Sequence, residues 1–120
     1  MKETGSGLTL QPRYNLWLEI DGDVVLSLWR VELLRAVAAT GSISAAAEQV
    51  KVPYRTAWQK INEMETRLGQ KLVETQTGGQ HGGGARLTPA AERYLEQFER
   101  FAHDMERFVV DAFAANFAER

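Results

Sequence analysis

The hydrophobic positions change period several times along the chain, and each change marks an element. Asn15 to Ile20 reads NLWLEI and Val24 to Leu28 reads VVLSL. Asp21-Gly22 lies between them, a dipeptide that accepts positive φ, so two short strands joined by a tight turn are predicted. Pro12 keeps the preceding stretch irregular. From Trp29 to Thr40, apolar residues at Val31, Leu33, Leu34, Val37 and Ala38 fall close to helical spacing, and Gly41 follows as a C-cap. Ser42 can cap a second, shorter helix that runs to about Val50 with Ile43, Ala46, Ala47 and Val50 on one face. Lys51-Val52 makes a turn. Pro53 enters the first turn of a third helix, where its missing N–H is no loss. There Ala57, Ile61, Met64 and Leu68 recur at spacings of 4, 3 and 4, which is one buried face, and Gly69 stops the helix.

Two more short strands are predicted at Leu72 to Thr75 and Arg86 to Thr88, around TGGQHGGGA with its five glycines between Gly78 and Gly84. Thr88 can cap and Pro89 can begin a last helix. In it Tyr94, Phe98, Phe101, Met105, Phe108, Ala112 and Ala115 alternate at spacings of 4 and 3, with Leu95, Ala102 and Val109 beside them. That is the a/d rhythm of a coiled-coil seam. From Pro89 to about Ala115 such a helix is roughly 40 Å long. It extends beyond a small domain and exposes aromatics unless something covers them. The N-terminal strands are one cover; a partner chain is the better one.

Three helices with a sharp turn between the second and third, then a glycine-tipped hairpin, are the layout of a winged helix-turn-helix. The predicted class is therefore mainly α with small β hairpins. Residues 1–13 are expected as a flexible N-terminus, 14–88 as the winged domain with its N-terminal hairpin, and 89–120 as a dimerisation helix. A length of 120 residues suits that single core.

Composition narrows the choice. The absence of cysteine removes disulfide scaffolds, thiolate zinc sites and cysteine nucleophiles, and fits a reducing compartment. Met1 to Gly7 carries no apolar core of a signal peptide, and no apolar run approaches the roughly 20 residues of a membrane span, so a cytoplasmic protein is expected. The net charge is only −2, but it is unevenly spread. Lys51 to Arg93 holds seven basic residues and four acidic ones, whereas both flanking segments are acidic. The middle third should face an anionic partner. On the third helix, the face opposite the buried stripe carries Arg55, Gln59, Asn62 and Thr66, side chains that reach base edges and phosphates. Trp58 lies beside the buried stripe and is read as packing rather than DNA contact.

The segments GSISAAAEQV (Gly41 to Val50), PYRTAW (Pro53 to Trp58) and TGGQHGGGARLTP (Thr77 to Pro89) resemble the N-terminal DNA-binding domain of the molybdate-responsive regulators, the ModE family. That domain is itself similar to the LysR-type winged helix. The resemblance covers about Leu16 to Met105. It departs at Pro53, where the family usually has Ser, and at Ala91, where it usually has Gly. The resemblance implies that Tyr54, Arg55 and Gln59 meet the major groove, with Thr56 and Lys60 beside them. Ser42 and Ser44 open the second helix, where hydroxyls and free N–H groups can hold a phosphate. As a wing, the glycine loop, Gly82 and Gly83 included, lets the backbone approach the duplex while Arg86 and His81 supply donors; a merely flexible hairpin tip is the alternative. Tyr94, Phe98, Phe101, Met105, Phe108 and Ala112 form the expected dimer seam.

The glycine loop lacks the Lys-Ser/Thr of a phosphate-binding P-loop, and no GxGxxG is present. His81 and His103 have no carboxylate at ligand spacing, and no base is placed to activate Ser42 or Ser44. No enzyme, metal or cofactor is expected. The leading reading is a dimeric, sequence-specific transcriptional regulator bound to double-stranded DNA, with a separate effector-binding protein as a further candidate partner. The alternatives are a molybdate- or molybdopterin-related binding protein, or an interaction module that kept the fold. The family's oxyanion sites belong to separate C-terminal domains whose Ser-Ala-Arg-Asn-type motif these residues do not contain. A DNA-binding half without molybdate-binding domains is therefore expected.

Overall fold

The computed structural model describes residues 8–76 and 84–118, and its first regular element is a hairpin. Strand β1 (Trp17–Ile20) pairs antiparallel with β2 (Asp23–Ser27) through Asp21 and Gly22, whose φ values are 51° and 87°. Two consecutive positive-φ residues are what a type I′ turn requires. The register shifts between Leu18 and Glu19, which face Leu26 and Val24 in turn. This bulge breaks the strand alternation and lets both Val25 and Leu26 reach the core.

Leu28 opens α1 (Leu28–Thr40) rather than closing β2, as its apolar neighbours had suggested. The reason is a cap: Ser27 Oγ accepts the Arg30 N–H at 3.1 Å. Helix α1 buries Val31, Leu33, Leu34, Ala36 and Val37 and ends at Gly41, which has φ 75°. Helix α2 (Ile43–Gln49) starts at Ser42, whose Oγ accepts the Ala45 N–H at 3.0 Å. Ala46 and Ala47 are fully buried, small enough to let the next helix approach. Val50 is not on the buried face of α2; it is the half-buried C-cap.

Helix α3 (Tyr54–Leu68) follows. Pro53 precedes it instead of entering its first turn. Its backbone is extended at φ −61° and ψ 148°, and it has no side-chain oxygen to cap the helix. The first helical bond runs from the Ala57 N–H to the Pro53 carbonyl at 3.1 Å. Ala57, Ile61 and Met64 are buried as the 4-3-4 spacing predicts, while Leu68 is partly covered.

Strands β3 (Val73–Gln76) and β4 (Gly84–Leu87) form the wing, with Val73 opposite Leu87 and Glu74 opposite Arg86. Thr88 leaves β4 because its hydroxyl caps α4 (Pro89–Phe117), accepting the Ala91 N–H at 3.1 Å. Residues 77–83, and with them the expected wing contacts Gly82 and Gly83 and the histidine at 81, lie outside the described residues, as does the start of the N-terminus expected to be flexible.

The 29 residues of α4 span about 43 Å, within a molecule 65 Å in its longest dimension. Ala91, Leu95 and Phe98 are buried in the same core as α1 and the wing root, and no described residue beyond Phe98 is buried. The expected seam therefore divides. Phe98, read from its spacing as a partner contact, is a core residue of its own chain at 2% exposure. Tyr94 packs half-buried against that core, Met105 and Ala112 are half-buried, and Phe101 and Phe108 are exposed. Arg35 of α1 ties the helix down, its Nε donating to Glu99 Oε2 at 2.6 Å.

Candidate nucleic-acid interface

The turn between α2 and α3 sets how the third helix is presented. The Val52 N–H reaches the Ala47 carbonyl at 3.0 Å and the Lys51 N–H reaches the Glu48 carbonyl at 3.1 Å. These are the paired bonds of a Schellman motif, with Lys51 at φ 64° in the position where glycine is usual. The turn consumes the last carbonyls of α2 and directs the chain into Pro53. Successive helical residues are about 100° apart, so Arg55, Gln59 and Thr66 fall opposite the buried stripe. All three are exposed, and Asn62 is half-buried. Tyr54 and Trp58 occupy the flank toward the wing, while Thr56, Lys60, Glu63 and Arg67 occupy the flank toward β2.

The two flanks differ in chemistry. On the β2 side, Glu63 Oε1 takes Arg30 at 3.1 Å, Lys60 at 3.6 Å and Arg67 at 3.6 Å. Partial burial pushes the Glu63 carboxyl upward, but the Arg30 hydrogen bond and the charges of Lys60, Arg30 and Arg67 outweigh it and hold the group below its ordinary value. Three cations share one carboxylate, so this flank keeps positive charge in excess. Arg67 Nη1 also donates to the Val24 carbonyl at 2.7 Å, fastening α3 to the N-terminal hairpin.

On the other side, Glu65 anchors the wing. Its Oε2 accepts the Leu72 N–H at 2.9 Å and the Val73 N–H at 3.1 Å. Thr88 closes the root from below: its hydroxyl donates to the Lys71 carbonyl at 2.8 Å and its N–H to the Leu72 carbonyl at 2.9 Å. A third tie joins the Ala85 N–H to the Gly41 carbonyl at 2.8 Å, beside the start of α2. A Cβ on Gly84 would meet that same carbonyl at 3.6 Å, an ordinary contact, so the glycine here is not required by space.

Of the described residues singled out from the sequence, not all are free. Ser42 spends its hydroxyl on the α2 cap, whereas Ser44 is exposed. Lys60 is held by Glu63, and exposed Arg86 pairs with its cross-strand neighbour Glu74 at 3.2 Å. Arg55 makes no ion pair among the described residues. Sequence reasoning missed Glu65, whose signal was an acid four residues after buried Ile61, next to Met64. Trp58, read as packing, is 48% exposed and lines a depression with Ile61 and Val73. Among the described residues no group of acids and histidines is placed to hold a metal, and no helix is long and apolar enough to cross a membrane.

Known proteins are similar to this chain in sequence and in fold. The family described as bacterial regulatory helix-turn-helix protein, lysR family, matches residues 28–92, from the start of α1 to the first turn of α4. The chain is 42% identical over 73 residues to the transcriptional regulator ModE of Yersinia pestis, covering 61% of this chain and 28% of that protein. It is 34% identical over 98 residues to the DNA-binding transcriptional dual regulator ModE of Escherichia coli (strain K12), covering 82% of this chain and 37% of that one. Among solved structures, the CbnR DNA-binding domain in complex with DNA superimposes with a TM-score of 0.58 at 28% identity, over 72% of this chain and 94% of that one. The chain thus spans between about a quarter and two fifths of the length of these two curated relatives.

Proposed function

The chain belongs to the bacterial regulatory helix-turn-helix family of the lysR type, and from that premise we propose that it is the double-stranded-DNA-binding part of a cytoplasmic transcriptional regulator. The observation that carries the reading is the exposed polar face of α3, with Arg55 near its start in no ion pair among the described residues, set between a wing anchored by Glu65 and a cation-rich flank around Glu63. Arg55 can donate two bonds to guanine, and Gln59 can pair with adenine. The Ser44 hydroxyl, Lys60 and Arg86 serve the phosphates, which fix register without reading sequence. Similarity to relatives named as ModE regulators and to a DNA-bound domain supports the same role.

The active unit is a dimer formed through the second half of α4, where Phe101 and Phe108 are exposed on one stripe and no residue is buried. Covering such a stripe with a second copy removes apolar area from water at roughly 25 cal/mol per Å². A mobility shift on a pool of random duplexes at low salt tests DNA binding, and enrichment of particular sequences on raising the salt tests specificity. Equal retention of all duplexes, or none, would refute the reading. Sedimentation of Phe108→Asp tests the dimer: a folded monomer is expected, and an unchanged dimer would place the interface elsewhere.

A further inference from the structure

The face that α3 offers to DNA is polar except for one pair of side chains. Tyr54 and Trp58 are four residues apart, hence neighbours along the helix, and they are 53% and 48% exposed. Trp58 lines a shallow depression between α3 and β3 with Ile43, Ile61, Asn62, Val73 and Thr75, so part of its ring is supported by the fold and the rest is left at the surface. By helical geometry Trp58 lies roughly 60° around the axis from Arg55, on the wing side of the same surface. It is therefore continuous with the proposed base-reading face.

Resting on that reading of α3, we infer that Trp58, with Tyr54 beside it, reads the C5-methyl group of thymine in the major groove. The chemistry leaves few other partners. Within a stacked duplex the faces of the bases are hidden, and the major-groove edges of guanine, cytosine and adenine present hydrogen-bond donors and acceptors. Thymine alone adds an apolar group there. An indole has a single N–H donor and no acceptor, so it cannot satisfy the cytosine amino group, but it gains by covering a methyl. The half of Trp58 exposed in the free chain is the part available to do so. Arg55 and Gln59 then select purines by hydrogen bonds, and Trp58 selects a pyrimidine by shape.

The test removes the methyl and leaves everything else. A preferred duplex is first selected from a random pool with the 120-residue chain; failure to obtain one would refute DNA reading by α3 as a whole. Each thymine of that duplex is then replaced singly by uracil. Losing one buried methyl-sized group should weaken binding about four-fold at one thymine of each bound site, with the other positions little changed. Trp58→Ala should erase the thymine-to-uracil difference at that position, whereas Arg55→Ala should retain it while weakening binding. Trp58→Gln provides a second variant of similar reach, with the fold of each variant checked by circular dichroism. If no thymine is sensitive in the unaltered protein, or if the uracil effect survives in both Trp58 variants, the inference is wrong.

Discussion

Glu65→Ala should detach the wing from the helix that it flanks. In the folded chain one carboxylate oxygen receives two backbone N–H groups, those of Leu72 and Val73, at 2.9 and 3.1 Å. Both residues are buried, and the Glu65 side chain is only 13% exposed. Hydrogen bonds to a charged acceptor contribute about 1.5–3 kcal/mol each, and water entering the gap restores part of that. The two together set a cost of about 2–4 kcal/mol. The ion pair with Lys71 adds little, because that lysine side chain is 68% exposed. At this chain length such a loss lowers the melting temperature by roughly 8–15 °C. Glu65→Gln keeps an oxygen acceptor but not its charge, so about half the effect is expected. Urea denaturation gives the free energies, and hydrogen exchange should show the amides of residues 72 and 73 losing protection before those of α1. Should Glu65→Ala stay within 0.5 kcal/mol of the parent, or should Gln cost as much as Ala, the carboxylate is not what holds the wing root.

Lys51→Gly relieves a left-handed backbone at φ 64° and should stabilise the chain by about 0.5–1 kcal/mol after the added flexibility of the unfolded state, which urea midpoints can check. Arg55→Ala should cost about 1–3 kcal/mol on the preferred duplex and flatten selectivity at one base pair. Arg86→Ala should weaken all duplexes alike, by less than a free arginine would, since Glu74 already shares its charge; competition binding with mutated sites separates the two patterns. Because the Glu63 carboxyl titrates below its ordinary value of 4.5 when folded, its contribution is present above that pH and is lost as pH falls through the folded value. The stability gap between the parent and Glu63→Gln should accordingly be widest near neutrality and close in acid, as followed by urea unfolding across pH.

Elements with repeated apolar spacing were legible in the sequence because burial and periodicity are the same information. Ala57, Ile61 and Met64 announced α3, and the face opposite them followed by geometry alone. Positions decided by competition between neighbours were not. Leu28 fits either strand or helix, and only the Ser27 cap settles it. Phe98 fits the same heptad as Phe108, but the first sits over α1 and the second has passed the end of the core, a difference of packing distance that no spacing encodes. Glu65 and Glu63 look like ordinary surface acids on an amphipathic helix. Their roles depend on the Leu72 and Val73 amides, brought back past the end of α3 by the turn at Gly69, and on Arg30, 33 residues away from Glu63. Charge counting suffered likewise, since Lys71 and Arg86 are each paired with a local acid, whereas Lys60, Arg67 and Arg30 share the single carboxylate of Glu63.

The root of α4 lies inside the core, with Ala91, Leu95 and Phe98 sealing it, and the same unbroken helix continues past the core's edge. There is thus no joint at residue 88 where the molecule can be cut. A graft that ends there loses three core side chains, and a portable version of this domain must carry the helix at least through Phe98. The same continuity makes α4 a stiff handle: a twist applied at its distal end turns α1, the wing and α3 as one body. Seven residues added to its distal half would advance the far end by nearly two full turns and almost preserve its heading. One added residue would swing it by about 100°. Any partner docked on the distal half of α4 would therefore be oriented by the helical phase of α4 rather than by a hinge.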